Sequence, residues 1–251
     1  MGQVYLIVSG KGGTGKTTVS TSLALALAGM GRRVLLVDGD VGLRCCDLLM
    51  GMEDLVVYDA GDILEKRCRL AEAVTAHPAV SGLHLLSAPQ MVGPGDISKS
   101  AMADLLAEAR ETYDYVFADC PAGIGRGLKN LWNAADEAVI VATPDDASLR
   151  AAERVADLLF KRRDLRASLI LNRIDRFLIA CREEKRPGAI AAALDLPLLG
   201  GIPESYDVYR GILMHKTALE CDSGAVRKAL KRIARRMAGE NVPLPRFYHA
   251  N

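Results

Sequence analysis

A doubly wound α/β domain, its mostly parallel sheet covered by helices on both faces, is the fold class this sequence predicts. Three observations carry the prediction. Short, continuously apolar runs recur along the chain, helical patterns separate them, and the first run leads into a glycine-rich loop that opens a helix. Continuous rather than alternating apolar character suits strands buried on both faces, and strand–helix alternation suits a parallel sheet.

The strand candidates, in order, are VYLIV (4–8), RVLLVD (33–38), LHLLS (83–87), YVFAD (115–119), AVIVAT (138–143), SLILN (168–172) and PLLGGI (197–202). Between the first two, TTVSTSLALALAGMG (17–31) reads as a helix stopped by Gly29 and Gly31. DISKSAMADLLAEARETY (96–113) reads as a second, with Asp96 or Ser98 as N-cap. DDASLRAAERVADLLFKRR (145–163) is a third, with acids at its start and bases at its end, as the helix dipole favours. No linker, repeat or low-complexity segment interrupts this pattern. One domain is expected over residues 1–251, with 239–251 an irregular C-terminal tail.

The chain carries 32 Lys+Arg against 31 Asp+Glu, a formal net charge of +1. That balance argues against a whole-protein electrostatic grip on nucleic acid. The six cysteines include no Cys-x-x-Cys pair, so neither zinc-ligand spacing nor a disulfide framework is present. Reduced thiols are the expectation, with a metal cluster shared across a dimer as the alternative. The start, MGQVYLIVSGKGG, lacks the parts of a signal peptide, and no apolar run is long enough to span a bilayer. A cytoplasmic protein is expected.

The chemistry concentrates in three stretches. Gly10-Lys11-Gly12-Gly13-Thr14-Gly15-Lys16-Thr17 is a G-x-x-x-x-G-K-T phosphate-binding loop, in the strand-to-helix context the motif requires. Its glycines let backbone N–H groups converge on phosphate oxygens at a helix N-terminus. Lys16 is expected to reach the β- and γ-phosphates, and Thr17 Oγ1 to bind Mg²⁺. Asp119 ends the YVFAD run, where a carboxylate supports that Mg²⁺, and Pro121-Ala122-Gly123 follows as a loop able to sense the γ-phosphate. Asp38 and Asp40 lie at the end of the second run, Asp38 suited to the metal shell and Asp40 to orienting the attacking water. Asn172-Arg173-Ile174-Asp175 also looks like the N-K-x-D guanine motif, which keeps GTP open beside ATP.

With K-G-G-x-G-K-T-T, D-x-D-V-G-L-R and D-C-P-A-G-I in order, the chain resembles the MinD/ParA family of deviant Walker A ATPases, and within it the MinD branch. The likeness runs from residue 1 to about 238. It implies a slow, Mg-ATP-dependent dimerising ATPase that acts as a positional switch at the division site. It assigns Lys11 to the nucleotide of the other subunit across a two-fold interface. Lys11, Lys16 and Asp40 are then the catalytic set. Lys11, Gly12, Gly13, Thr14, Gly15, Lys16, Thr17 and Thr18 hold the phosphates, and Asn172, Arg173, Pro203 and Glu204 hold the base. Thr17, Asp38 and Asp119 form the metal shell. The implied partners are a second copy, a division inhibitor and a protein that stimulates hydrolysis, with peripheral membrane association on the inner face.

The pattern departs from the family at Thr14, Gly39 and Cys45-Cys46. It departs most at the end, where AGENVPLPRFYHAN replaces the family's membrane-targeting helix with a proline-broken tail. The preceding AVRKALKRIARRM places Val226, Leu230, Ile233 and Met237 on one helical face. Arg227, Lys228, Lys231, Arg232, Arg235 and Arg236 fill the remainder. This basic helix (226–237) suits anionic lipid or DNA phosphates, or a core helix with solvated charges. A ParA-type DNA-binding partition ATPase and a metal-cluster carrier are the alternatives. Trp132 is expected to pack, the GPGDIS turn to do no chemistry, and His77, His84, His215 and His249 to be structural.

Overall fold

The computed structural model describes residues 1–40, 43–89, 99–123, 125, 128, 131–161 and 165–248. Val41, Gly42, the Asp96 and Ser98 caps, the GPGDIS turn and His249 lie outside the described residues. All seven apolar runs form strands. They are β1 (Gln3–Val8), β2 (Val34–Asp38), β4 (Leu83–Leu86), β5 (Tyr115–Asp119), β6 (Glu137–Ala142), β7 (Arg166–Ile174) and β8 (Leu198–Pro203). A two-residue strand, β3 (Thr75–Ala76), joins them at one edge. The sheet runs β3-β4-β2-β5-β1-β6-β7-β8, parallel throughout except for the antiparallel β3–β4 pair. β3 has no apolar run to announce it; it exists because His77 N–H and the β4 backbone offer it partners.

Alternation along each strand feeds two cores. On β1, Val4, Leu6 and Val8 face one cluster, and Tyr5 and Ile7 face the other. The first cluster is closed by α3 (Lys99–Thr112) and α4 (Asp146–Phe160), the second by α1 (Lys16–Ala28) and α6 (Gly224–Met237). The shorter α2 (Cys45–Leu49) and α5 (Tyr206–Ile212) flank the carboxyl edge of the sheet. This is the doubly wound α/β fold with helices on both faces. α1 shows no amphipathic face because it packs against the sheet on one side and α6 on the other, so Leu23 through Ala28 are all buried. The stop at its end is Gly31, which takes φ 81°, while Gly29 keeps helical φ −63°.

The apolar face of α6 packs into the core, as the core-helix reading expects. Val226, Leu230, Ile233 and Met237 are at most 6% exposed, so the apolar stripe belongs to the core beside α1 and β8. The tail folds back onto the same edge. Arg236 donates to the carbonyls of Leu199 (2.8 Å), Val242 (2.7 Å) and Pro243 (2.8 Å), and Tyr248 Oη donates to the Gly201 carbonyl (2.8 Å). The absence of a side chain at Gly201 permits this, since a Cβ there would lie 2.9 Å from Tyr248 Oη. Ile233→Ala is expected to cost about 2–5 kcal/mol of unfolding free energy in urea titration. A loss below about 0.5 kcal/mol, the usual effect at a surface position, would contradict the core placement.

Candidate functional site

In a parallel sheet every strand ends at the same edge, and here that edge collects the chemically suggestive residues. β1 and β5 are neighbours, so the glycine loop leaving Val8 stands beside Asp119. β2 flanks β5 with Asp38 opposite Asp119 in register. Gly123 N–H donates to the Ser9 carbonyl (2.8 Å), drawing Pro121-Ala122-Gly123 alongside the loop.

The loop needs its glycines for specific reasons. Gly15 sits at φ 83°, and a Cβ there would lie 2.3 Å from Asn172 Nδ2. At Gly10 a Cβ would lie 2.3 Å from the Ala151 carbonyl of α4. Among the described residues, a Cβ at Gly12 or Gly13 would meet no atom within 4 Å outside its chain neighbours. That open cradle, at the start of α1, fits phosphate oxygens. Asn172 Nδ2 braces the loop from β7 by donating to the Thr14 carbonyl (2.8 Å). Thr14 itself is buried, and its Oγ1 has no hydrogen-bond partner among the described residues.

Asp119 is the centre of the charge arrangement. It is fully buried, and three donors from the first two turns of α1 converge on it. Lys16 Nζ is 2.8 Å from Oδ2, Thr17 Oγ1 donates to Oδ2 at 2.7 Å, and Ser20 Oγ donates to Oδ1 at 2.9 Å. Burial works against the Lys16 ammonium, but the Asp119 carboxylate more than offsets it and holds the lysine pKa above its usual value. Thr17 Oγ1 and the Asp119 carboxylate are hard oxygen donors of the kind Mg²⁺ prefers, so the residues present fit that ion.

Asp38 is nearly as buried, and its two oxygens accept the N–H groups of Asp40 and Cys46, each at 3.0 Å. Burial pushes its carboxyl up to about 6 despite those bonds. Cys46 Sγ lies 3.8 Å from Asp119 Oδ2, and donor atoms of Asp38, Cys46 and Asp119 all fall within 4.8 Å of one another. Asp40 is half-buried at the mouth; burial raises its pKa and Lys16 opposes the rise. Gly39 between them is sterically required, because a Cβ would lie 2.9 Å from the Asp119 carbonyl oxygen.

Lys11 stands on the rim and is ion-paired with Asp145 at 2.9 Å. Asp145 also caps α4 by accepting the Ser148 N–H (2.9 Å) and takes the Thr143 hydroxyl. Burial alone would raise its pKa; the bonds from Thr143, Lys11 and Ser148 bring it down to about 2.

The far end is built from β7 and β8. Thr18, Asn172, Pro203 and Tyr209 line a cavity of about 80 Å³, with Arg173 and Glu204 at its border. Arg173 takes φ 58°, and its Nε lies 3.7 Å from Glu204 Oε2. Asp175 is not available there. Its Oδ1 accepts the N–H groups of Phe177 (2.7 Å) and Leu178 (3.3 Å), capping helix Arg176–Ala180, so the acidic reader of a guanine motif is spent on a cap.

Three residues went unassigned in the sequence. Asp145 was visible only as an acid at a helix start. Ser20 sits one turn beyond the motif, and Cys46 reaches Asp119 only through the fold. The described histidines do structural work: His77 Nδ1 accepts the N–H groups of Ala79 and Val80, His84 packs edge-on to Tyr113, and His215 Nδ1 contacts the Leu48 carbonyl. Trp132 packs against the core.

The ParA family model, described as NUBPL iron-transfer P-loop NTPase, matches residues 1–238. Septum site-determining protein MinD of Bacillus subtilis (strain 168) is 35% identical over 246 residues, covering 97% of this chain and 92% of that protein. A chain of the MinC:MinD cell division protein complex of Aquifex aeolicus superimposes with a TM-score of 0.88 at 33% identity, over 97% of this chain and 99% of that one. MinD of Pyrococcus horikoshii OT3, complexed with Mg-ADP, gives 0.82 at 29% identity, over 94% and 96%.

Because the Asp38 pKa is higher folded than unfolded, the folded chain holds an extra proton between about pH 4 and 6. The wild type therefore loses stability from this group as pH rises through that window. Asp38→Asn, which cannot ionise, is expected to gain up to about 3 kcal/mol on the wild type from pH 4 to 7. Urea unfolding in EDTA measures it, and a difference independent of pH would contradict the burial argument.

Proposed function

The chain belongs to the ParA family of P-loop NTPases, in its MinD branch, and from that membership we propose a dimerising, Mg²⁺-dependent ATPase that switches a division-site regulator on and off. The observation that supports this most is the buried Asp119 with Lys16 and Thr17 on it, at the end of the loop whose Gly12 and Gly13 form an open cradle. The cavity beside Asn172 and Pro203, with Asp175 spent as a cap, favours adenine over guanine.

The chemistry Mg²⁺ would supply with the nucleotide is positive charge against the anionic phosphates. Thr17 Oγ1 and Asp119 would hold it, with Asp38 behind them in the shell. Lys16 then exchanges Asp119 for the β- and γ-phosphate oxygens, so its charge stays compensated throughout. Lys11 through Thr18 supply the phosphate contacts, and Asn172, Arg173, Pro203 and Glu204 border the base. Asp40, at the mouth, orients the attacking water. Lys11 supplies a cation to the transferring phosphoryl group of the partner subunit, and Asp145 is its resting partner in its own chain. A lone subunit lacks that cation at its own nucleotide, which couples ATP, dimer and turnover.

The output is the surface of the ATP-bound dimer. The Aquifex aeolicus relative is seen in a complex with MinC; a division inhibitor of that kind, and a protein that stimulates hydrolysis, are the partners this reading gives the chain. Association with the inner face of the membrane would be peripheral. Among the described residues no helix is long and apolar enough to cross a membrane.

Lys11→Ala is expected to keep Mg-ATP binding, lose the ATP-dependent dimer in analytical ultracentrifugation, and lower turnover by about 10³-fold or more. Retention of both dimer and turnover would refute the trans-acting lysine.

A further inference from the structure

One face of α6 carries Lys228, Arg232 and Arg236 at four-residue spacing, so three cations stack along a single stripe. Opposite them lie the glycines of β8 and the returning tail. Together they enclose a cavity of about 190 Å³ with Phe247 and Tyr248 in its wall. Arg176 adds a fourth cation, its guanidinium 4.8 Å from the centre of the Phe247 ring. Among the described residues no carboxylate lines this space.

Two of the three cations elsewhere on the helix are already engaged, and the third, Lys231, lies outside the cavity. Arg235 pairs with Glu240 at 2.7 Å, and Arg227 donates to the Cys221 carbonyl at 2.9 Å. Within the stripe only Arg236 is fixed, by its three carbonyls, and burial depresses its pKa. Among the described residues Lys228, Arg232 and Arg176 have no ion pair. Like charges four apart on a helix repel, and a concave site of one sign focuses its field on an anion. Guanidinium forks and an ammonium are the donors that suit phosphate oxygens, while the proline and aromatic wall suits a carbon skeleton attached to them.

We infer that this cavity binds a phosphate ester, with Lys228 and Arg232 as its principal donors and Phe247 against its organic part. The site is separate from the glycine loop and does not depend on the ATPase reading. The same phosphate chemistry is offered by a soluble phosphomonoester and by an anionic lipid headgroup.

The test uses the full chain saturated with Mg-ADP, so that the loop is occupied. One arm titrates glycerol 3-phosphate calorimetrically; the other sediments phosphatidylglycerol vesicles against phosphatidylcholine vesicles. Saturable binding in at least one arm, weakened by added salt, is expected. It should fall at least tenfold in Lys228→Ala/Arg232→Ala and stay unchanged in Lys231→Ala, whose side chain lies outside the cavity. Binding in the soluble arm identifies a small phosphate ester, and binding in the vesicle arm alone identifies a headgroup. Unchanged ADP affinity and melting temperature verify that the double variant folds, and Lys228→Gln alone should show a smaller loss of the same kind. The inference is overturned if neither ligand binds or if the double variant binds like wild type.

Discussion

A carboxylate with no access to water has to be neutralised where it sits, and Asp119 imposes that requirement on everything around it. Removing one partner of such a pair typically costs about 3–5 kcal/mol, so Lys16 is bound to its place as firmly as a core residue. The solution uses consecutive parts of one segment. The glycine loop delivers Lys16 and Thr17 at the first turn of α1, and Ser20 follows at the next, so loop conformation, helix start and charge balance are one constraint. Because Lys16 and Thr17 are also the groups a phosphate and a divalent cation call for, the contacts that hold the folded edge together are those a nucleotide would exchange.

Sheet order determines what this centre can be coupled to. Parallel pairing of β5 with both β1 and β2 puts Asp119 between the glycine loop and Asp38. The helix after β6 brings Asp145 to the rim, where it holds Lys11. The exposed pair contributes little to stability, on the order of 1 kcal/mol or less. It is therefore a contact that can be given up, whereas the Lys16–Asp119 pair is not given up without a replacement. That difference in burial leaves Lys11 free to change partners and Lys16 fixed on Asp119.

Much of this was legible in the sequence because it is local. The seven apolar runs became strands, and the glycine loop, Asp119, Asp38 and Asp40 converge at the edge that parallel topology dictates. What was not legible depends on contacts distant in sequence. β3 is too short for a pattern, and Asp145 reads as an ordinary cap until β6 carries it to Lys11. Asp175 looks like a base reader until the chain beyond it turns into a helix that it caps. The basic stripe of α6 is ambiguous alone; the burial of Ile233 and the return of the tail through Arg236 and Tyr248 decide its orientation. Cys46 is the plainest case, since nothing near it in sequence places its sulfur beside the Asp119 carboxylate.

The central claim is that Lys16 leaves Asp119 only for a phosphate. A crystal structure with Mg²⁺ and a non-hydrolysable ATP analogue measures this directly. The account predicts Lys16 Nζ on the β- and γ-phosphate oxygens, with Thr17 Oγ1 and Asp119 turned to the metal. Nucleotide bound elsewhere, with the 2.8 Å Lys16–Asp119 contact intact, would contradict it.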